Sequence, residues 1–162
     1  MATSDIAGVS TLGITFGWGV EETAGGTKPA TFKELSRINA IGGITIENEQ
    51  IDASALSDLT SRYIQGRGDT GGSFAVTVNF TPATNEEWAE VIEAYNTAKE
   101  SGKRMWFETI IPTFDNSFFV VAQPPTAIPQ PEIGQNELLT VEFNLTIEEY
   151  RGMEAKVAFQ TA

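Results

Sequence analysis

The chain predicts a mainly β fold: an antiparallel β-sandwich or barrel with one α-helix, at about Asn85 to Ser101, and a long polar loop, at about Gln50 to Gly72. Three observations lead there. Several short segments alternate strictly between apolar and polar residues, Gly, Pro and Asn turn signals separate them, and only one stretch follows the helical period. Strands never alternate with helices in the βαβ manner, so a parallel α/β sheet is not expected. At 162 residues the expectation is a single domain spanning 1–162.

The first strand follows from Leu12, Ile14, Phe16, Trp18 and Val20, with Gly13, Gly17 and Gly19 on the opposite face, where another backbone can approach closely or the strand can bend. Gly25, Gly26 and Pro29 mark a turn. Thr31 to Ile41 spaces Phe32, Leu35, Ile38 and Ile41 by three. A short helix fits that spacing, but Gly42-Gly43 and the β-like surroundings favour a strand. Ile44 and Ile46 begin an alternation that decays at Glu47 and Glu49, and the following 20 or so residues are rich in Asp, Ser and Gly. A loop of that length is rare in a compact domain and usually functional.

Phe74, Val76, Val78 and Phe80 then give the cleanest strand. In the helix, Trp88, Val91, Ile92 and Tyr95 form one apolar stripe, Thr84 and Glu87 fit a capping box, and Gly102 is the natural stop. Arg104 to Ile111 and Ser117 to Gln123 read as a hairpin across Pro112 to Asn116. The prolines from Pro124 to Pro131 exclude a central strand. Alternation resumes from Leu139 to Glu148, and Met153 to Phe159 predicts a last strand after a turn at Gly152.

Cysteine and histidine are both absent, which excludes disulfide frameworks, thiolate nucleophiles, Cys/His zinc sites and His-based acid–base chemistry. With 22 acids against 10 bases the net charge is −12, a poor balance for tight binding to nucleic-acid phosphates. The first residues lack the basic and apolar regions of a secretory signal, and no stretch approaches the roughly 18 apolar residues of a membrane span. The expectation is a soluble chain made in the host cytoplasm, with no membrane partner.

Paired acids such as Glu47/Glu49, Glu86/Glu87, Glu148/Glu149 and Asp52/Asp58 are the remaining route to catalysis, since glycosidases use two carboxylates. No further feature places any pair in a cleft, so no catalytic residue is assigned and no enzyme is expected. Asp52, Asp58 and Asp69 lack the dense spacing of a calcium loop, and Gly66 to Gly72 lacks the Gly-Lys-Ser/Thr of a phosphate cradle. No metal or cofactor site is therefore expected.

The segment from Ile44 through the Asp- and Ser-rich Ala53 to Asp58 and the Gly/Asp turn Gly66 to Gly72, followed by the strand Ser73 to Phe80 and a helix beginning at Glu86, resembles the major tail tube proteins of long-tailed bacteriophages. The likeness covers Thr31 to Glu108, and the remaining strands by pattern. It implies hexameric rings in which neighbouring sheets join into one continuous barrel, stacked into a tube through which the genome passes. It also implies a virion-tail location and partners that include further copies of the chain, tape-measure proteins and tail-terminator or tail-tip proteins.

By the same resemblance, the long loop, with Asp52, Ser54, Asp58, Arg62, Tyr63, Arg67 and Asp69, and the terminal residues Met1 to Gly8 would make ring-to-ring contacts. A carboxylate-lined lumen would repel passing DNA without binding it, and Glu47, Glu49, Glu142 and Glu148 are the expected lining. A flexible non-contractile tail is favoured over a contractile one. The alternative reading is a β-sandwich binding module such as a head-decoration or receptor-binding protein.

Overall fold

Met105, Trp106 and Phe107 are three consecutive buried residues of one strand, so the sheet at its centre is covered on both faces. The structure, a computed structural model, describes Gly8 and residues 10–160. Among the described residues ten strands and one helix follow in chain order: β1 (Thr15–Val20), β2 (Phe32–Leu35), β3 (Ile38–Ile41), β4 (Glu47–Asp52), β5 (Tyr63–Asp69), β6 (Ser73–Asn79), α1 (Pro82–Glu100), β7 (Met105–Ile110), β8 (Asn116–Gln123), β9 (Thr140–Ala155) and β10 (Phe159–Gln160). Eight strands form one sheet in the order β10-β2-β1-β7-β8-β9-β6-β3, antiparallel except for β10 on β2, and β4 with β5 forms a separate two-stranded hairpin. The large sheet curls into a half-barrel, in agreement with the expected fold class.

Curling follows from β9, whose first half pairs with β6 and whose second half pairs with β8. Two register shifts against β8 leave Glu148 and Arg151 without direct partners, and such bulges bend a strand and increase its twist. Gly152, at φ 73°, belongs to the second shift. It bulges a continuing strand where a turn is expected. The last strand accordingly is not Met153 to Phe159: Met153 still belongs to β9, and only Phe159–Gln160 pair again, on β2.

The concave face holds the main core. Phe16 and Trp18 of β1, Phe74 to Val78 of β6, Phe107 of β7 and Val141 to Leu145 of β9 meet Trp88 and Val91 of α1 there. The opposite face carries a smaller cluster, Phe32, Trp106, Phe119 and Val121, covered by Val157 and Phe159 of the C-terminal strap. Gly17 faces that strap. A Cβ there would collide with the Phe159 ring and lie 2.5 Å from the Lys33 carbonyl, so the expected close approach behind the β1 glycines is present.

Three expectations need correction. The helix begins at Pro82 rather than Asn85, with Thr81 as N-cap and Thr84 as its partner in the capping box. Pro82 suits the first helical position because the proline lacks an N–H that would be unpaired there anyway. Glu87, freed from the cap, accepts hydrogen bonds from the Ser36 amide (3.0 Å) and hydroxyl (2.6 Å), tying the corner between β2 and β3 to the helix. Thr31 to Ile41 is two strands, not one, broken at Arg37, whose φ of 55° is a left-handed turn conformation. The polar stretch Gln50 to Gly72 is largely the β4–β5 hairpin. Its sequence hides the strands because both faces meet solvent, leaving no apolar face to impose a period of two.

Candidate assembly surfaces

The hairpin and its tip contain all seven residues that the sequence places in the long polar loop. Asp52 pairs with Tyr63 across the ladder, next to the Ile51–Ile64 pair. The tip between the strands is held by its own short polar side chains. Asp52 accepts from the Ser54 amide (2.9 Å), Ser54 Oγ accepts from the Arg62 amide (2.8 Å), and Asp58 accepts from the Ala55 amide (2.8 Å). Arg62 reaches Asp58 at 3.4 Å, and Asp69 closes the far end by accepting from the Gly71 amide (2.9 Å). The Ser54 amide and the neighbouring Ser54 hydroxyl lower the pKa of the Asp52 carboxyl from its ordinary value. Arg67 lies exposed in β5.

What the hairpin lacks is a cover. Ile46, Ile51, Leu56, Leu59, Tyr63 and Ile64 are all exposed, and Leu56 and Leu59 completely so. A two-stranded hairpin is marginal alone, and clustered exposed apolar side chains mark contact surfaces. Glu47 stands directly opposite Asp69, a like-charge pair that disfavours the ladder.

A second surface is the polar side of β6 and β9. Ser73, Ala75, Thr77 and Asn79 pair with Thr146, Asn144, Glu142 and Thr140, and the apolar residues between them fill the core. Asn39 of β3 extends the row through a 3.2 Å bond to Asn79. Neither of these paired segments contains a Lys or Arg.

The four expected lining acids are thus divided between elements. Glu47 and Glu49 belong to the hairpin, Glu142 to the polar sheet face, and Glu148 to the β9 bulge. Glu148 lies toward the helix: burial first, and then its charge, raise the Tyr95 hydroxyl above its ordinary pKa. In the helix stripe, Trp88 and Val91 are core, while Tyr95 and Ile92 are half-buried. Met1 to Ala7 lie outside the described residues.

Sequence reasoning missed two buried carboxyls. Glu21, just past β1, accepts from the Arg104 amide (2.8 Å), Arg104 Nε (3.2 Å) and the Trp106 indole N–H (2.9 Å). Arg104 also reaches Glu149, which pairs with Arg151, which pairs with Glu154. The Arg151 guanidinium lies 5.3 Å from the centre of the Trp106 ring, so the ladder of alternating charges roofs that indole. Glu108 of β7 accepts from the Val157 amide at 3.1 Å. Burial pushes its carboxyl up, against the opposing influence of the Val157 hydrogen bond, the neighbouring Ser117 hydroxyl and the charges of Lys28 and Lys156. The available signal was a lone acid inside the apolar run Met105 to Ile111. Among the described residues no three acids gather in a way that would hold a metal ion.

The chain matches no family model and no curated protein. Solved structures do share its fold. A chain of the virion of a native gene transfer agent (GTA) particle is 20% identical with a TM-score of 0.51, covering 76% of this chain and 89% of that one. A chain of the anti-feeding prophage (AFP) baseplate, 6-fold symmetrised, is 15% identical with a TM-score of 0.50, covering 96% and 98%. These likenesses establish the fold.

Proposed function

We propose that this protein is a structural component of a phage-like tail that assembles with copies of itself into rings, hexameric by analogy, stacked into a tube. The observation that carries the reading is the β4–β5 hairpin, which projects exposed apolar side chains that the single chain leaves uncovered. The fold supports it, since both similar chains belong to large assembled particles and one of those assemblies is 6-fold symmetrised. The free edge of β3 and the weakly paired β2 edge suit sheet-to-sheet joining between copies, which would also protect them from unspecific pairing.

In this reading Asp52, Ser54, Asp58, Arg62, Tyr63, Arg67 and Asp69 present the ring-to-ring contact. The polar face with Glu142 lines the lumen, and Glu47 and Glu49 fringe it. That lining lets DNA slide because it offers hydroxyls, amides and carboxylates but no cation to hold a phosphate. Tape-measure and tail-terminator or tail-tip proteins would occupy the lumen and the ends of the tube.

Electron microscopy of concentrated purified protein tests the proposal. Rings or tubes are expected. Replacing residues 53 to 62 by a two-residue turn should abolish stacking while leaving the circular dichroism spectrum and the melt of the large sheet in place. Stable monomers at every concentration, or discrete trimers of the kind a decoration module forms, would overturn it.

A further inference from the structure

Resting on that self-assembly reading, we propose where the hairpin goes: the tip of one copy seats Leu56 and Leu59 in the apolar cavity at the open side of the next copy's half-barrel. The cavity measures about 600 Å³, and its apolar lining includes Ile14 ahead of β1, Ile38 and Ile41 of β3, Ile44 beyond it, Phe74 of β6 and Phe118 of β8. It occupies the gap where the curled sheet stops short of closing, between its β3 edge and the segment entering β1. Thr11, Asn39, Thr109 and Tyr150 complete the lining, and a mainly apolar hollow of this kind gains from an apolar occupant that displaces its water.

Four observations point to a second copy as that occupant. Leu56 and Leu59 are completely exposed, so they do not fill the hollow of their own chain. The tip that bears them is braced by side-chain caps from Asp52, Ser54 and Asp58. A tip held by its own hydrogen bonds loses less freedom on docking than an unbraced one. Arg37, directly before Ile38 of the cavity wall, is exposed and makes no ion pair among the described residues, while Asp52 stands at the base of the tip. Finally, knob and hole are different patches of one chain. Their contact is therefore heterologous and repeats from copy to copy, which builds rings or filaments instead of stopping at a dimer.

The chain has no cysteine, so single thiols introduced into it report contacts cleanly. Leu56→Cys and Ile44→Cys variants are mixed, assembled and treated with a short bismaleimide, with Glu86→Cys on the helix replacing Ile44→Cys as the control. Severalfold more cross-linked dimer is expected from the Leu56/Ile44 mixture than from the control mixture or from either variant alone. Equal yields in tubes that otherwise form normally would overturn this docking and leave the self-assembly reading standing. If the wild-type protein never assembles, both fail together. Ile41→Trp provides a second measurement that leaves the hairpin untouched. It fills the hollow, so it should keep a cooperative melt and lose assembly, and normal tubes from it would refute the docking.

Discussion

Trp88 of the helix lies flat against Phe143 of β9, with ring centroids 4.0 Å apart and planes 7° from parallel. Both rings are buried in the main core, so this stack is the principal bolt between the only helix of the described residues and the half-barrel. Removing it should cost about 3 to 5 kcal/mol, the usual loss for truncating a buried aromatic. Urea denaturation of Trp88→Ala checks the figure. Ile92→Ala, at a half-buried position on the same helix, should lose clearly less.

Glu21 ties the end of β1 to the start of β7 by accepting three hydrogen bonds from Arg104 and Trp106. In Glu21→Ala the buried indole N–H and the Arg104 amide lose their acceptor, at about 1 to 3 kcal/mol for each orphaned group. Glu21→Gln keeps an acceptor oxygen and should fall between the alanine variant and wild type. Equal stability of all three proteins in equilibrium unfolding would mean that the network contributes nothing.

Glu108 makes stability depend on pH. Its carboxyl titrates higher folded than unfolded because burial disfavours the charged form, so between the two values the native state binds more protons. The contribution is therefore complete below the ordinary carboxylate range and is lost as pH rises through the raised value. Thermal melts across that range should show wild type weakening with rising pH more than Glu108→Gln, which has no charge to bury and still offers Val157 an acceptor. Parallel curves for the two proteins would contradict this assignment.

Gly17 decides whether the C-terminal strap can lie down. A methyl group there meets the Phe159 ring and the Lys33 carbonyl, and the carbonyl belongs to backbone that cannot simply rotate away. Gly17→Ala should therefore loosen residues 156 to 160 and the β1–β2 pairing. Hydrogen exchange at Phe159 and faster proteolysis near Val157 are the expected readouts. Unchanged protection would mean that the strands shift to admit the methyl group.

How much of this was legible depends on where each residue faces. Strands with one wet and one dry face announced themselves: Phe74, Val76 and Val78 alternate with Ala75 and Thr77, and the structure places them as expected. The helix was readable from Trp88 and Val91, while its start was not, because Thr81 and Thr84 satisfy the same capping rule as Thr84 and Glu87 until the tertiary demand of Ser36 for Glu87 is known. The hairpin defeated periodicity because solvent surrounds it on both faces, and Glu108 was unremarkable until its strand proved to be buried on both of its own.

By itself the sequence determined the β class, the strands with one wet and one dry face, the helix around Trp88 and Val91, the absence of cysteine and histidine and the surplus of acid, because these depend on composition and on local period. Only the tertiary structure decided which acids share a surface, that the polar stretch is a braced hairpin with uncovered leucines, and that the sheet stops short of closing around an apolar hollow. Those outcomes depend on strand order, on the two bulges of β9 and on contacts between residues far apart in the chain, and no local pattern encodes them.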